Sequence, residues 1–240
     1  MNHRLASRRA DTRWPKQVSA LTEEQRAIQD DWMRHFHERM PADHGRIVRF
    51  NHGYAARSAG PGRTIDIGAG LGEHLRYEDL SLQSYHAVEM RPEMAAAIER
   101  DFPSAVTLIA DCQQRLPYED ATFDRAIAIH VLEHLPNLPA ALAELRRLLR
   151  PDGVLSVVIP CEGGLAYGLG RRLTSQRAFE RRYHTSYKWH IASDHVNQAH
   201  EIISELHATF DVTDATYFPS RVPLIDLNLL VGLTCVRRAD

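Results

Sequence analysis

Residues 64–73 read Thr64-Ile65-Asp66-Ile67-Gly68-Ala69-Gly70-Leu71-Gly72-Glu73. Ile65 and Ile67 mark a short strand, the glycines mark a tight turn, and a helix is expected over 73–80. A strand, a glycine turn and a helix start let backbone N–H groups face a ligand. The spacing narrows which ligand. A dinucleotide loop of the form G-x-G-x-x-G needs its third glycine at position 73, where this chain has Glu73. The glycines fall instead at 68, 70 and 72, and Asp66 stands two residues ahead of the first. A carboxylate there repels a pyrophosphate and suits an ammonium group, directly or through water. A glycine-rich turn that holds no ligand is the plain alternative.

Outward from this loop, strand and helix alternate. Strands are expected at 63–67, 85–89, 105–110, 125–130, 154–159, 210–218 and 227–237, with helices at 92–100, 138–150 and 197–209. That rhythm argues a parallel sheet covered on both faces. Ahead of it, Thr22-Glu23-Glu24-Gln25 is a capping box. It opens a helix carrying Ile28, Trp32, Phe36 and Met40, which Pro41 is expected to end. A second helix is expected over 46–59 and a Gly60-Pro61-Gly62 linker after it. The chain therefore divides into a disordered basic tail (1–20), a helical lid (21–62) and a main domain (63–240). Within that domain an insert at 161–194 breaks the rhythm.

The composition is that of an ordinary soluble domain: 240 residues, 44% hydrophobic, 25% charged, net charge −2. Without a basic field, nucleic acid is not an expected partner. Cys112, Cys161 and Cys235 are odd in number and far apart, so they make neither a disulfide framework nor a metal knuckle. A reducing, cytoplasmic setting is expected. No apolar run reaches membrane-spanning length, and the Arg-rich start lacks the apolar core of a secretion signal.

Acid-x-Gly-x-Gly-x-Gly at 66–72 resembles the first motif of the class I S-adenosylmethionine-dependent methyltransferases. Three further stretches follow in that family's order: Leu116-Pro117-Tyr118 to Asp124, His130-Val131-Leu132-Glu133-His134-Leu135, and Leu149-Arg150-Pro151-Asp152-Gly153. Together they resemble the small-molecule branch, over about residues 63–160. The resemblance implies a Rossmann-like α/β fold: a seven-stranded, mostly parallel sheet in the order 3-2-1-4-5-7-6, strand 7 antiparallel, with helices on both faces. It implies S-adenosylmethionine as cofactor and methyl transfer to an O or N atom of a small-molecule acceptor. A cofactor-binding protein without catalysis and a lipid-linked acceptor are the alternatives.

By the same resemblance, Asp66, Gly68, Ala69, Gly70 and Gly72 line the cofactor. Glu89, which ends strand two 17 positions past Gly72, takes the ribose hydroxyls, with Met90 beside it. Asp111 and Cys112 flank the adenine. His130 sits over the cleft at the carboxyl end of strand four. It is the candidate catalytic base for a hydroxyl or protonated amine, or else lines the pocket without moving protons. His134 is read as structural. His130-Val131-Leu132-Glu133 stands where amino-methylating nucleic-acid enzymes carry Asp/Asn-Pro-Pro-aromatic. Cys161 is read as pocket wall rather than nucleophile.

The insert interleaves Arg171, Arg172, Arg177, Arg181, Arg182 and Lys188 with Phe179, Tyr183, Tyr187 and Trp189. Its readings, in order, are a solvated basic cover, a pocket for an anionic acceptor, and adsorption to an anionic membrane through Leu165, Leu169 and Leu173. Tyr183, His184, Tyr187 and His190 are the candidate acceptor contacts. His184, His190, Asp194 and His195 are spaced by six, four and one, a pattern of no common ligand set, so no metal is expected.

Overall fold

The computed structural model describes residues 14–43 and 45–238, with the side chains of 36–43 outside the description. The first thirteen residues of the expected tail, and the side chains of Phe36 and Met40, thus lie outside the described residues. Trp14 and Lys16, within the expected tail, are docked on the main domain. Trp14 packs against the main core, and Lys16 Nζ donates to Glu201 Oε1 at 2.7 Å and to the Val196 carbonyl at 2.8 Å.

Helix α1 spans Glu23–Asp43. Its capping box is formed: Gln25 N donates to Thr22 Oγ1 at 3.2 Å and Thr22 N to Gln25 Oε1 at 3.0 Å. The helix runs through Pro41 to Asp43, two residues past its expected end. Helix α2 follows at Gly45–Ala55 and closes in a 3-10 turn, Ala56–Ser58.

The sheet comprises β1 (Gly62–Ile67), β2 (Gln83–Glu89), β3 (Val106–Ile109), β4 (Phe123–Ile129), β5 (Leu149–Pro160), β6 (Phe210–Phe218) and β7 (Leu230–Arg237). Its order is β3-β2-β1-β4-β5-β7-β6, as expected. Pairs from β3 to β5 are parallel, and β7 runs antiparallel to both β5 and β6. Side chains alternate across the faces. Ile65 and Ile67 of β1, Ala126 and Ala128 of β4, and Leu155, Val157 and Ile159 of β5 join α4 (Leu138–Leu148) and α8 (Ala199–Thr209) in the main core. Tyr85, Ala87 and Ile127 face the other side, toward Ala55 of α2 and Ile98 of α3 (Pro92–Asp101).

Beyond shifts of a few residues at element ends, such as β7 starting at Leu230 rather than 227, two elements differ more from their sequence expectation. In place of a helix over 73–80 there is a five-residue 3-10 turn, Glu73–Tyr77. The sheet face it leaves uncovered is taken by α2, whose Tyr54 ring lies against Gly232 so closely that a β-carbon there would come within 2.5 Å. The second is β5, which begins at Leu149 rather than 154, because the Pro151-Asp152-Gly153 segment continues the strand.

The insert folds into three short helices, α5 (Leu165–Leu173), α6 (Ser175–Tyr183) and α7 (Tyr187–Asp194). With α1 they make a separate aromatic cluster of Trp32, Phe179 and Tyr187, supported by Tyr183 and Trp189. Trp32 meets Phe179 edge-on with centroids 5.3 Å apart.

Candidate active site

Three positive φ angles shape the loop after β1: Gly68 at 65°, Gly70 at 59° and Gly72 at 79°. Such angles favour glycine because a β-carbon clashes with its own backbone. The surroundings differ. A β-carbon on Gly68 would come within 2.5 Å of Val131, and one on Gly72 within 3.0 Å of Leu75 and Phe102. On Gly70 it would meet only Glu73 Oε2, at 3.2 Å, so Gly70 is the open member of the three. Amides of Gly68 and Ala69 bond to the Val88 carbonyl, tying the loop to the end of β2.

Glu89 ends β2 beneath this loop. Its Oε2 accepts from Gly70 N and its Oε1 from Arg91 N, both at 2.9 Å. These two bonds fix the carboxylate and leave further lone pairs for hydroxyl donors. Met90 next to it is exposed on the rim. Asp111 follows β3, and its Oδ1 accepts from the backbone and side chain of Gln113. Cys112 is buried, and burial with the nearby Asp111 charge pushes its thiol up to about 12. Cys161 is fully buried and its thiol also rises to about 12, which leaves no thiolate for nucleophilic chemistry at neutral pH.

Asp66 is 3% exposed and accepts from Tyr85 Oη at 2.8 Å. Burial raises its carboxyl to about 6, against the opposing pull of His74, the Tyr85 bond and Arg125. Around it lies a buried polar network that sequence reasoning did not see. Arg125 donates to Ser58 Oγ at 2.9 Å, to Glu78 Oε2 at 2.9 Å and to the Ala55 carbonyl at 2.6 Å. His74 Nε2 stands 2.8 Å from Glu78 Oε1, close enough for an ion pair but not aligned as a hydrogen bond. His52 of α2 stacks on Tyr77 and His74, and burial, aided by His74, lowers its ring to about 4. In the sequence, the network's one local trace is the i,i+4 spacing of His74 and Glu78.

His130 adopts a left-handed conformation, φ 52°, at the end of β4. Its Nδ1 lies 3.2 Å from Glu133 Oε1, and its Nε2 is buried without a partner. Glu133 and His134 occupy the next 3-10 turn, Leu132–His134. His134 Nδ1 meets the Asp194 carbonyl at 2.8 Å. Burial lowers the His134 ring, but the Asp194 and Glu133 charges outweigh it and hold the ring at about 9.

The four candidate acceptor contacts separate into two pairs. Tyr187 and His190 are buried together against Phe179, the His190 ring stacked on it at 5.0 Å. Tyr183 faces α1, donating to Asp31 Oδ2 at 2.6 Å, and His184 caps α6 on the exposed surface beside Arg177 and Arg181. Arg182 pairs with Asp31 at 2.9 Å and Arg171 with Glu162 at 2.5 Å. Leu165, Leu169 and Leu173 of α5 are 76%, 58% and 52% exposed. Among the described residues no helix is long and apolar enough to cross a membrane.

Residues 65–157 match the family model described as "Methyltransferase domain". The 23S rRNA (guanine(748)-N(1))-methyltransferase of Streptomyces fradiae is 34% identical over 119 residues, 48% of this chain and 40% of that protein. A sterol 24-C-methyltransferase of Schizosaccharomyces pombe is 29% identical over 120 residues, 46% of this chain and 32% of that protein. The chain spans less than half the length of these curated relatives. Among solved structures, the 1,6-didemethyltoxoflavin-N1-methyltransferase of Burkholderia thailandensis, holding 1,6-didemethyltoxoflavin and S-adenosylhomocysteine, superposes with a TM-score of 0.58. It is 19% identical, and the match covers 93% of each chain. A possible histamine N-methyltransferase of Thermotoga maritima gives 0.59 at 17% identity, covering 88% of this chain and 99% of the other. At these identities the structural likeness speaks for the fold.

Proposed function

We propose that the chain is a class I S-adenosylmethionine-dependent methyltransferase that methylates an O or N atom of a small-molecule acceptor. The observation that carries this reading is the Gly68–Gly72 loop held over Glu89, with Gly70 open and its amide on the Glu89 carboxylate. Glu89 would hold the hydroxyls of a sugar edge, and Asp66 would supply negative charge for an ammonium group. When bound, the cofactor supplies a methyl group on a sulfonium.

The chain's own residues do the rest. Backbone of the loop and Glu89 position the donor, and the end of β4 positions the acceptor. In-line attack disperses positive charge, so collinear placement in a dry site is the main demand. His130 Nε2, buried and unpartnered, faces proton chemistry if the acceptor is a hydroxyl. We assign α1 and the 161–194 insert to a common acceptor-side cover, supported by the Trp32–Phe179 packing and the Asp31–Arg182 pair. Pairing of Arg171 and Arg182 with acids of the chain itself favours a small acceptor over an extended polyanion.

Calorimetry with S-adenosylhomocysteine and with NAD tests the cofactor. S-Adenosylhomocysteine binding that Gly70→Leu abolishes is expected, and NAD binding in its place overturns the reading. Labelled methyl transfer across small-molecule, lipid and rRNA acceptors then tests the class, and tight binding with no turnover marks a binding protein. The exposed α5 leucines favour one second reading, a lipid-borne acceptor, for which co-sedimentation with anionic vesicles is the check.

A further inference from the structure

The turn after β4 and the end of α7 bring together Glu133, His134 and His195. One ligating atom from each lies within 4.8 Å of the other two. Histidine–carboxylate contacts alone would make this an internal ion-pair network. Three features go further.

Glu133 is 1% exposed, and its Oε1 is engaged by His130 while its Oε2 is buried with no partner. A buried carboxylate oxygen without a donor is costly and calls for a cation. Next, both imidazoles have Nδ1 against an oxygen: His134 on the Asp194 carbonyl at 2.8 Å, His195 on Glu162 Oε2 at 3.2 Å. Glu162 is itself fixed by Arg171 at 2.5 Å. A ring with Nδ1 against oxygen turns its Nε2 away from that oxygen, the outer-sphere arrangement of metal-bound histidines, and an ion would bind His134 by displacing the Nε2 proton. Finally, the His134 and His195 side chains are 32% and 16% exposed, so an ion has a way in from the solvent side.

We propose that Glu133, His134 and His195 form a divalent-metal site, with Nε2 of each ring and Oε2 of Glu133 as ligands. Asp194 Oδ2, 3.8 Å from His195 Nε2, is placed to become a fourth. Two imidazoles and a carboxylate select Mn²⁺, Fe²⁺ or Zn²⁺ over Mg²⁺, whose preference is for oxygen alone. Closing on an ion needs the donors to draw in to bonds of about 2.0–2.2 Å, a movement within side-chain rotation. The set leaves coordination positions open beside His130. If the methyl-transfer reading holds, they would take an oxygen of the acceptor and bring it to the reacting methyl, favouring acceptors with a chelating pair of oxygens. The ion itself does not depend on that reading.

The test is calorimetry of chelator-treated full-length protein with Mn²⁺ and Zn²⁺, with Mn²⁺ electron spin resonance as a second readout. One equivalent per chain is expected. Glu133→Gln and His195→Gln should each weaken binding by about tenfold or more, and Glu162→Gln by about 10–100-fold through the lost outer bond. His207→Gln, on the exposed face of α8, should bind metal as the parent does. Metal should also raise the melting temperature of the parent and not of Glu133→Gln. If Glu133→Gln does not fold, the partly buried His195→Gln carries the comparison. Failure of the parent to take up either metal at about millimolar concentration overturns the proposal, as does unchanged affinity in folded variants. S-Adenosylhomocysteine titrated into the same samples separates the two ideas, because loss of metal binding with cofactor binding intact leaves methyl transfer standing.

Discussion

If Asp66 faces the ammonium group of the cofactor, as proposed, cofactor affinity depends on pH. Its carboxyl titrates at about 6 in the folded chain because burial disfavours the charge. An ammonium group placed against it favours the ionised form, so below about pH 6 binding must first expel a proton. Affinity then falls with acidification by up to tenfold per pH unit. Between about pH 7.5 and pH 5 the ionised fraction drops from nearly all to about a tenth, a loss of about 1.4 kcal/mol. Asp66→Asn keeps the shape, removes the charge and should bind more weakly at pH 7.5 with no slope between the two. The sign for stability is opposite. The folded pKa lies above the unfolded one, so between about 4 and 6 the folded chain binds more protons, and stability falls as pH rises through that window. Asp66→Asn without cofactor should therefore gain up to about 3 kcal/mol at neutral pH. Calorimetry with S-adenosylhomocysteine at both pH values, beside thermal melts, reads both effects. Equal parent affinities at the two pH values, or the same slope in Asp66→Asn, would refute the ammonium contact.

Glu89→Ala should weaken S-adenosylhomocysteine binding while turnover at saturating cofactor changes little, since ribose contacts are the same in ground and transition states; turnover lost at unchanged affinity contradicts this. Arg125→Met strips the buried Glu78 carboxylate of its guanidinium and should cost about 3–5 kcal/mol, roughly 10 °C in melting temperature. A melt within about 2 °C of the parent would show that His74 and Gln83 suffice to hold Glu78. Trp32→Ala removes the anchor of α1 on the insert and should raise acceptor KM with cofactor affinity held within about twofold; parallel loss of both would place the cover in the cofactor site.

Much of the geometry of the proposed cofactor side was legible because its signals are local. Three glycines at alternate positions, an acid before them and an acid at the end of the next strand all lie within one βαβ span. The structure sets Glu89 under Gly70 as that spacing requires. The helix after the loop was not legible. Residues 73–80 carry no break, yet His74 turns inward to Glu78, which meets Arg125, and α2 supplies the layer that a longer helix would fill. That exchange is decided by partners 47 and 70 positions away, beyond any window of periodicity.

The histidines illustrate the same limit more sharply. Scanned as one stretch, His184, His190, Asp194 and His195 have no ligand spacing, and that reading treats His134 as structural. Folding redistributes them. His184 is left on the α6 cap, and His190 is stacked on Phe179. His195 is carried to the turn after β4, where Glu133 and His134 wait. The pairing of His134 with Asp194 spans 60 residues and depends on the insert folding back over the carboxyl end of the sheet. A donor set split between a strand-end turn and an insert helix has no sequence spacing of its own. What betrays it is a three-dimensional fact, a buried carboxylate oxygen with nothing to accept from.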